Sequence, residues 1–275
     1  MTSATAALPR LARPSAMGAL KAVAAFWFII TALGQSLFVL YILGFHGRAI
    51  ALGQPELMNK VLPKGYVPGD TAGNLALVVH VLFAVFIIGG GLLQLVPQFR
   101  IRAPRMHRWN GRLYVTLAVI STLAGTLMLA TRGTVGGPVM HAGMLVDAVL
   151  ILLFAWLTVR EAHAKRLDSH RRWALRLFMT VSAVWFFRIG LMAWLLLNGG
   201  PAGFDPGTFR GPFLDVLAFA QYLLPLAVLE LYLRARSSAN ARLQGVTAAL
   251  LAGATLLMCV GIFGATMGMW LPRLS

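Results

Sequence analysis

The sequence predicts an all-α protein that crosses a membrane about seven times. Of its 275 residues, 59% are hydrophobic and only 12% are charged, whereas soluble domains carry roughly 25% charged residues. Several apolar runs reach about 20 residues, the length that an α-helix needs to cross a bilayer. Basic residues collect in alternate connections between these runs, as they do in polytopic membrane proteins. We therefore expect one helical membrane domain, residues 1–275, in contact with the lipid bilayer.

The apolar runs define the predicted spans. Spans two to five are expected to form a His-bearing four-helix core, residues 75–198, and the other three spans are expected to pack around it. The first run is too long for the apolar part of a signal peptide, so we interpret it as a span. The predicted spans are 22–45, 75–97, 111–131, 139–159, 173–198, 213–233 and 243–266.

The basic residues predict the orientation of the chain. Seventeen lie on one side and six on the other, and basic loops stay in the cytoplasm. The N-terminus is therefore expected in the cytoplasm and the C-terminus in the periplasm of a bacterial inner membrane. The net charge of +16 then reflects topology and anionic lipid rather than nucleic acid. The larger group is Arg10, Arg13, Lys21, Arg100, Arg102, Arg105, Arg108, Arg112, Arg160, Lys165, Arg166, Arg171, Arg172, Arg176, Arg234, Arg236 and Arg242.

One pattern of histidines occurs twice in the core. His80 begins an apolar helix, and after a basic loop His107 begins the next one. His141 and His170 repeat this arrangement at offsets of 61 and 63 residues. In membrane proteins, parallel repeats are related by an axis along the membrane normal. The sequence thus predicts two facing histidine pairs, one near each surface.

A parallel repeat of residues 75–131 and 139–198 would place the histidines of each pair face to face. Each pair could then supply the two axial ligands of a b-type haem. Imidazole is a common axial ligand of haem iron, and two of them leave no position for oxygen. The expected function is therefore transmembrane electron transfer, with quinone as a candidate small redox carrier. The single cysteine, Cys259, excludes a disulfide framework and a Cys-x-x-Cys-His motif for covalent haem attachment.

Helical spacing adds residues to both expected haem sites. The helical faces shared with the histidines are rich in small residues, which leaves room for a flat cofactor. Gly125 would make space for the outer haem, where Arg188 would neutralise a propionate or, equally, pair with Asp147 or Asp215. The residues assigned to the two haem sites in this way are Gly91, Gln94, Tyr114, Gly125 and Arg188.

Two short blocks carry a resemblance to a known family. Met106–Tyr114 and Ser169–Trp173 resemble the bacterial predicted membrane proteins of domain-of-unknown-function family 2306. The resemblance covers a little under half of the chain, from His80 through Arg188. It implies a membrane protein and brings no established activity.

The arrangement is also similar to the ascorbate-reducible diheme transmembrane cytochromes b. Those proteins carry one His on each of four consecutive helices, paired first with third and second with fourth. The similarity implies an outer haem on His80 and His141 and an inner haem on His107 and His170. It favours the outer haem, because His107 and His170 lie at span ends, where the cytochromes keep their ligands deeper.

Two other classes of function stay open. A seven-span zinc or copper site, as in a membrane hydrolase, would use three histidines from one side. A transporter or lipid-binding scaffold would use Arg188 for an anion, although the sequence shows no evident broken helix. His46 and His163 are expected to be solvated, and a homodimer is compatible with either class. The three-ligand sets would be His46, His80 and His141, or His107, His163 and His170, with Asp147 or Asp168 nearby.

Overall fold

The computed structural model describes residues 15–61 and 65–274. Arg10 and Arg13 of the N-terminal arm and the loop residues Pro63 and Lys64 lie outside the described residues. Within the described ranges the chain is helical and forms no β-strand. The long helices are α1 (Ala16–Tyr41), α2 (Thr71–Leu95), α3 (Pro104–Arg132), α4 (Pro138–His163), α5 (Leu167–Val181), α6 (Ala183–Asn198), α7 (Pro212–Ser237) and α8 (Ala241–Ala265).

The helices confirm the predicted membrane fold. Six helical segments of the described chain are long and apolar enough to cross a membrane, and α5 with α6 makes a seventh span if the two are counted together. The helices extend beyond most of the predicted apolar runs into the polar connections. Large apolar side chains such as Leu33, Leu123, Val149 and Phe263 remain exposed on the outside of the bundle. Such side chains are suited to contact with lipid tails, which are as apolar as leucine.

The fifth predicted span is broken, which corrects the expectation that the chain has no broken helix. The axes of α5 and α6 differ by 52°, and Ser182 lies between the two helices. No proline is present at the bend. The Thr180 hydroxyl instead donates to the carbonyl of Arg176, a back-bond that bends helices. The Gln35 amide of α1 also donates to the Ser182 hydroxyl at 3.0 Å.

Two groups of helices result from this break. α2 packs on α3 and α4 packs on α5 as two hairpins, and their shared core includes Ile87, Leu117, Ile151 and Leu177. α6 leaves this four-helix core and packs on α8, which also packs on α1. Only the first half of the fifth span therefore belongs to the four-helix core.

Both α1 and α8 continue through a short π-helical segment. α1 is followed by the π-helix Ile42–Gly47 and then by the helical turn Arg48–Ala51. α8 is followed by the π-helix Thr266–Trp270. Single π-helical turns are rare and occur frequently at functional sites. The two segments lie in one hydrophobic cluster, through Ile42 and Trp270.

A buried arginine fixes the start of α2. Arg132 is the last residue of α3, and its side chain is only 6% exposed. Its Nε donates to the Asp70 carboxylate at 2.8 Å, and further donors reach Asn74 and the Gly65 carbonyl. Asp70 also caps α2, because its Oδ1 accepts the N–H of Gly73 at 2.9 Å. The segment before α2 is thereby held against the bundle and lines an open pocket of about 500 Å³.

The two ends of the bundle differ in charge. We name as the basic end the connections 96–103, 164–166 and 238–240, together with the first residues of α1. We name as the far end the connections 52–61, 65–70, 133–137 and 199–211, together with Arg273. The basic residues assigned from the sequence to the larger group lie at or near the basic end wherever the structure describes them.

Candidate functional site

His107 and His170 occupy matching positions at the basic end. Each is the fourth residue of its helix, α3 and α5 respectively. Both helices run from the basic end, so the two imidazoles lie at similar depth. They are close enough for the charge of His170 to act on His107. The structure therefore places both histidines of the predicted inner pair at the same end of the bundle.

His170 is held in one tautomer. Its Nδ1 lies 2.9 Å from the backbone carbonyl oxygen of Thr158 on α4. Because a carbonyl oxygen only accepts hydrogen bonds, Nδ1 must carry the proton, and the lone pair of Nε2 is free. Metal-binding histidines are typically oriented by this kind of bond from the other ring nitrogen to a backbone carbonyl.

The connection before His170 is held by a buried carboxylate. The Glu161 side chain is only 3% exposed and accepts from Arg166 at 2.6 and 2.7 Å. Arg160 donates to the same carboxylate at 2.9 Å. The bond to Glu161 raises the pKa of Arg166 above its ordinary value. This cluster joins the end of α4 to the start of α5 and sets the level at which His170 enters the bundle.

His107 has an unpartnered ring nitrogen. Its Nδ1 is buried and has no hydrogen-bond partner, and the ring of Phe99 packs edge-on at 6.1 Å between centroids. Gln94 lies beside it as predicted, because its amide donates to the His107 carbonyl at 2.9 Å. A buried ring nitrogen without a partner is costly, and a ligand would satisfy it.

Two aromatic rings pack against Gly91 between the helices of the inner pair. A side chain at Gly91 would meet Tyr114 at 2.9 Å and Phe178 at 3.3 Å. Gly91 thus accommodates these rings, which corrects the expectation that it leaves open space for a cofactor. The hydroxyl of Tyr114 is buried and unpartnered, and Tyr114 lies seven residues, about 10 Å, further along α3 than His107.

Positive charge surrounds the inner pair. Arg100 and Arg108 both lie close enough to act on the imidazole of His107. The sequence assigned the role of a basic residue beside a cofactor to Arg188 and to neither of these arginines. The sequence did not single out either residue, because the count of basic residues explains both as topology. The signal available was their position on either side of His107 in one basic connection.

His80 is bound to the neighbouring helix. Its Nδ1 donates to the Ser121 carbonyl on α3 at 2.8 Å and lies 3.1 Å from the Ser121 hydroxyl. A side chain at Gly125 would meet the His80 ring at 3.0 Å. Gly125 therefore accommodates the imidazole of His80 itself, which corrects the expectation that it makes space for a haem. Like His170, His80 keeps the lone pair of Nε2 free.

His80 and His141 are not level along their helices. His80 is the tenth residue of α2, whereas His141 is the fourth residue of α4. Six residues correspond to about 9 Å of helix. His141 lies at the far end, where its Nε2 is 3.3 Å from the Thr134 carbonyl. The outer pair therefore lacks the matched depth that the inner pair has.

Arg188 lies in the other group of helices. Its guanidinium is 5.4 Å from the centre of the Phe38 ring on α1. Among the described residues it makes no ion pair, so neither Asp147 nor Asp215 is its partner. Asp147 instead projects from α4, buried, with one unpartnered oxygen. The expected ion pair of Arg188 with Asp147 or Asp215 is thus corrected, whereas its expected propionate contact stays a prediction.

His46 and His163 belong to the alternative zinc or copper sites with three histidine ligands. Within the described ranges, no three His, Cys, Asp or Glu residues are grouped as a metal site. His163 is exposed, as expected. His46 was expected to be solvated but is only 4% exposed, because the π-helix after α1 turns it between Tyr41 and Phe45.

Comparison with known proteins supports only part of the sequence interpretation. Residues 77–206 match a family model described as Predicted membrane protein (DUF2306). The matched region covers α2 to α6 and includes all four histidines of the two pairs. No curated protein and no solved structure matches the chain. The chain is thus similar to this family over slightly less than half its length, and the likeness to diheme cytochromes b stays a prediction.

Proposed function

We propose that the protein transfers electrons within the membrane through a b-type haem held by His107 and His170. The observation that carries the proposal is the matched position of these histidines on α3 and α5. A bound haem supplies an iron atom that accepts and releases one electron. Two axial imidazoles would fill the coordination sphere and favour electron transfer over oxygen chemistry.

The donor atoms and aromatic side chains at this site suit such a cofactor. The Thr158 carbonyl holds His170 with Nε2 free, and the buried Nδ1 of His107 has no partner. The Tyr114 hydroxyl is a second buried polar atom without a partner. Phe99 and Phe178 supply apolar walls, which exclude water and raise the effect of nearby charge on the redox potential.

The charges at this site suit a porphyrin with two carboxylates. Arg100 and Arg108 act on the imidazole of His107 from the basic connection. Arginine binds carboxylates in a bidentate geometry and keeps its charge at every physiological pH. We place this end toward the cytoplasm, in accordance with the positive-inside rule. A quinone or another small carrier in the membrane would complete the electron path.

The proposal covers one haem per chain and not the two that the sequence predicted. His80 and His141 differ by about 9 Å in position along their helices. The ring of His80 also packs directly on Gly125 and Ser121. These contacts supply a structural role for His80 that needs no cofactor.

Haem stoichiometry in four single variants tests the proposal. The full-length protein is purified from a haem-supplied host, and haem is measured per chain by its reduced pyridine complex. We expect one haem per chain in the wild type, and essentially none in His107→Ala and His170→Ala. His80→Ala and His141→Ala serve as matched controls and are expected to keep the wild-type ratio.

Other outcomes would reject parts of the proposal. A colourless wild-type protein that binds no haem on reconstitution would reject the function altogether. Two haems per chain, with one lost in His80→Ala, would restore the original two-haem prediction. Thermal unfolding of each variant distinguishes loss of the ligand from loss of the fold.

A further inference from the structure

Arg188 is a charged side chain inside the bundle that forms no ion pair with any residue the structure describes. It is the sixth residue of α6 and lies about 15 Å along the helix from the end at Asn198. Its Nε is buried and makes no hydrogen bond. Its guanidinium faces the Phe38 ring of α1, 5.4 Å from the centroid. A charge at this depth is costly and is by default the mark of a functional site.

Four more unpartnered polar atoms belong to the same cluster. They are the Tyr41 hydroxyl, His46 Nδ1, Trp185 Nε1 and Trp270 Nε1, and each is buried without a hydrogen bond. The ring centroids of Phe38 and Trp270 are 5.4 Å apart, and those of Tyr41 and His46 are 5.9 Å apart.

Trp185 extends the cluster along the same face of α6. It precedes Arg188 by three residues, which places both side chains on one side of the helix. A side chain at Gly34 of α1 would meet the Trp185 ring at 2.8 Å. These side chains thus lie where α1, α6 and the π-helices after α1 and α8 come together.

The chemistry of these atoms specifies the missing partner. Arginine and tryptophan side chains have donors and no acceptors. Tyrosine can donate as well, and one nitrogen of a neutral histidine does so. A group that satisfies this set must supply acceptors, and it must be negatively charged to balance the guanidinium.

The charged groups around Arg188 also favour a negatively charged ligand. The groups that act electrostatically on Arg188 are Tyr41 and Arg273, and those that act on His46 are Arg188 and Arg273. None of them is a carboxylate. Among the described residues, the charged groups around Arg188 and His46 are therefore basic.

The backbone is irregular at this place in all three helices. α1 and α8 pass into π-helical segments, and the break at Ser182 precedes Arg188 by six residues. Transporters form their sites from interrupted helices at this depth, and irregular backbone inside a membrane is tolerated where it is buried or lines a cavity.

We infer that Arg188, Tyr41, His46, Trp185 and Trp270 form a binding site for an anionic phosphate or carboxylate group. The site lies between α1, α6 and α8, apart from the proposed haem. The anionic group could belong to a phospholipid headgroup that enters from the bilayer or to a free anion. The inference does not depend on the proposed electron transfer, because no residue of this site contacts His107 or His170.

Anion-dependent thermal stability tests the site. The full-length protein is placed in phosphatidylcholine nanodiscs, and its melting temperature is compared with that in nanodiscs that also contain phosphatidylglycerol. In a second arm, inorganic phosphate or acetate is added to the phosphatidylcholine nanodiscs. We expect one of these anions to raise the melting temperature of the wild type but not of Arg188→Gln. A response to phosphatidylglycerol alone identifies a lipid headgroup, and a response to phosphate or acetate identifies a free anion.

Arg112→Gln is the matched control. Arg112 also lies 5.4 Å from the centre of an aromatic ring, that of Trp109, but it is exposed at the basic end. This variant should respond to the anion as the wild type does. Native mass spectrometry should show about tenfold less retained anion in Arg188→Gln than in Arg112→Gln, since bonds to a charged group contribute strongly.

The inference is overturned if no anion stabilises the wild type, or if Arg188→Gln and Arg112→Gln respond equally to every anion. If Arg188→Gln does not fold, Tyr41→Phe replaces it. That variant keeps the ring and removes one donor, so a weaker response is expected. A response as strong as that of the wild type would then overturn the site.

Discussion

His107 and His170 are each the fourth residue of a helix, whereas His80 is the tenth residue of α2 and His141 the fourth of α4. The first pair is therefore level and the second is offset by about 9 Å along the helices. The two pairs have nearly the same spacing in sequence. Spacing alone thus does not fix the depth of a side chain, because depth also depends on where the helix begins.

The two pairs also differ in their surroundings. His80 is enclosed by Ser121 and Gly125 of the adjacent helix. Around His107 and His170, polar atoms stay unpartnered and arginines gather. The packing of His80 on α3 gives it a structural role, whereas the buried unpartnered atoms of His107 and Tyr114 give their site capacity for a ligand.

Of the substitutions that distinguish the two histidine pairs, the one at Glu161 is expected to change haem binding the most. Glu161→Gln weakens the two bonds to Arg166 and loosens the connection that positions His170. Haem affinity should fall about tenfold or more, as for other residues that orient a ligand. Haem titration of the apoprotein measures this change.

Glu230→Gln is the control, because it also removes a carboxylate charge paired with an arginine, Arg176, and should leave haem affinity unchanged. An equal loss in both variants would contradict the role of Glu161.

A medium effect is expected from alanine at two glycines. Gly91→Ala would press on Tyr114 and Phe178, and Gly125→Ala would press on His80. Each should lower stability by about 1–3 kcal/mol, but only Gly91→Ala should also lower haem content. Gly89→Ala faces open space and should be stabilising by about 1 kcal/mol. Haem loss in Gly125→Ala but not in Gly91→Ala would place the haem at His80 instead of at His107 and His170.

The smallest effect is a pH dependence at the far end. The Gly73 amide, and then Arg132, hold the pKa of Asp70 below its ordinary value. A lowered pKa means that the carboxylate stabilises the fold at neutral pH, and this contribution is lost as pH falls below about 4. Asp70→Asn should lower the melting temperature by a few degrees at pH 7 and narrow this difference under acid conditions. Haem content should not change, and a constant difference across pH would contradict the role of the charge.

Much of the fold follows from the sequence because hydropathy and run length are direct requirements of the bilayer. The six or seven apolar helical spans were predictable for this reason. The start of α2 was not, since it depends on Asp70 meeting Arg132 from the end of α3. The break at Ser182 was not predictable either, because it contains no proline and involves Gln35 of a distant helix.

The candidate site was predicted in outline only. The spacing of the four histidines predicted that His107 and His170 lie near the same end of the bundle, and both are the fourth residue of helices that start there. It misplaced Arg188, because a helical wheel gives the face of a residue but not which helix that face meets. His46 was misjudged for a related reason, since a π-helix rotates the following residues away from their α-helical positions.

The electron paramagnetic resonance spectrum of the purified ferric protein tests the central claim most directly. If His107 and His170 are both axial ligands, the spectrum should show one low-spin haem species without added ligand. That signal should be unchanged in His80→Ala and absent in His170→Ala. A haem-free protein, or a low-spin signal that survives in His170→Ala, would contradict the account.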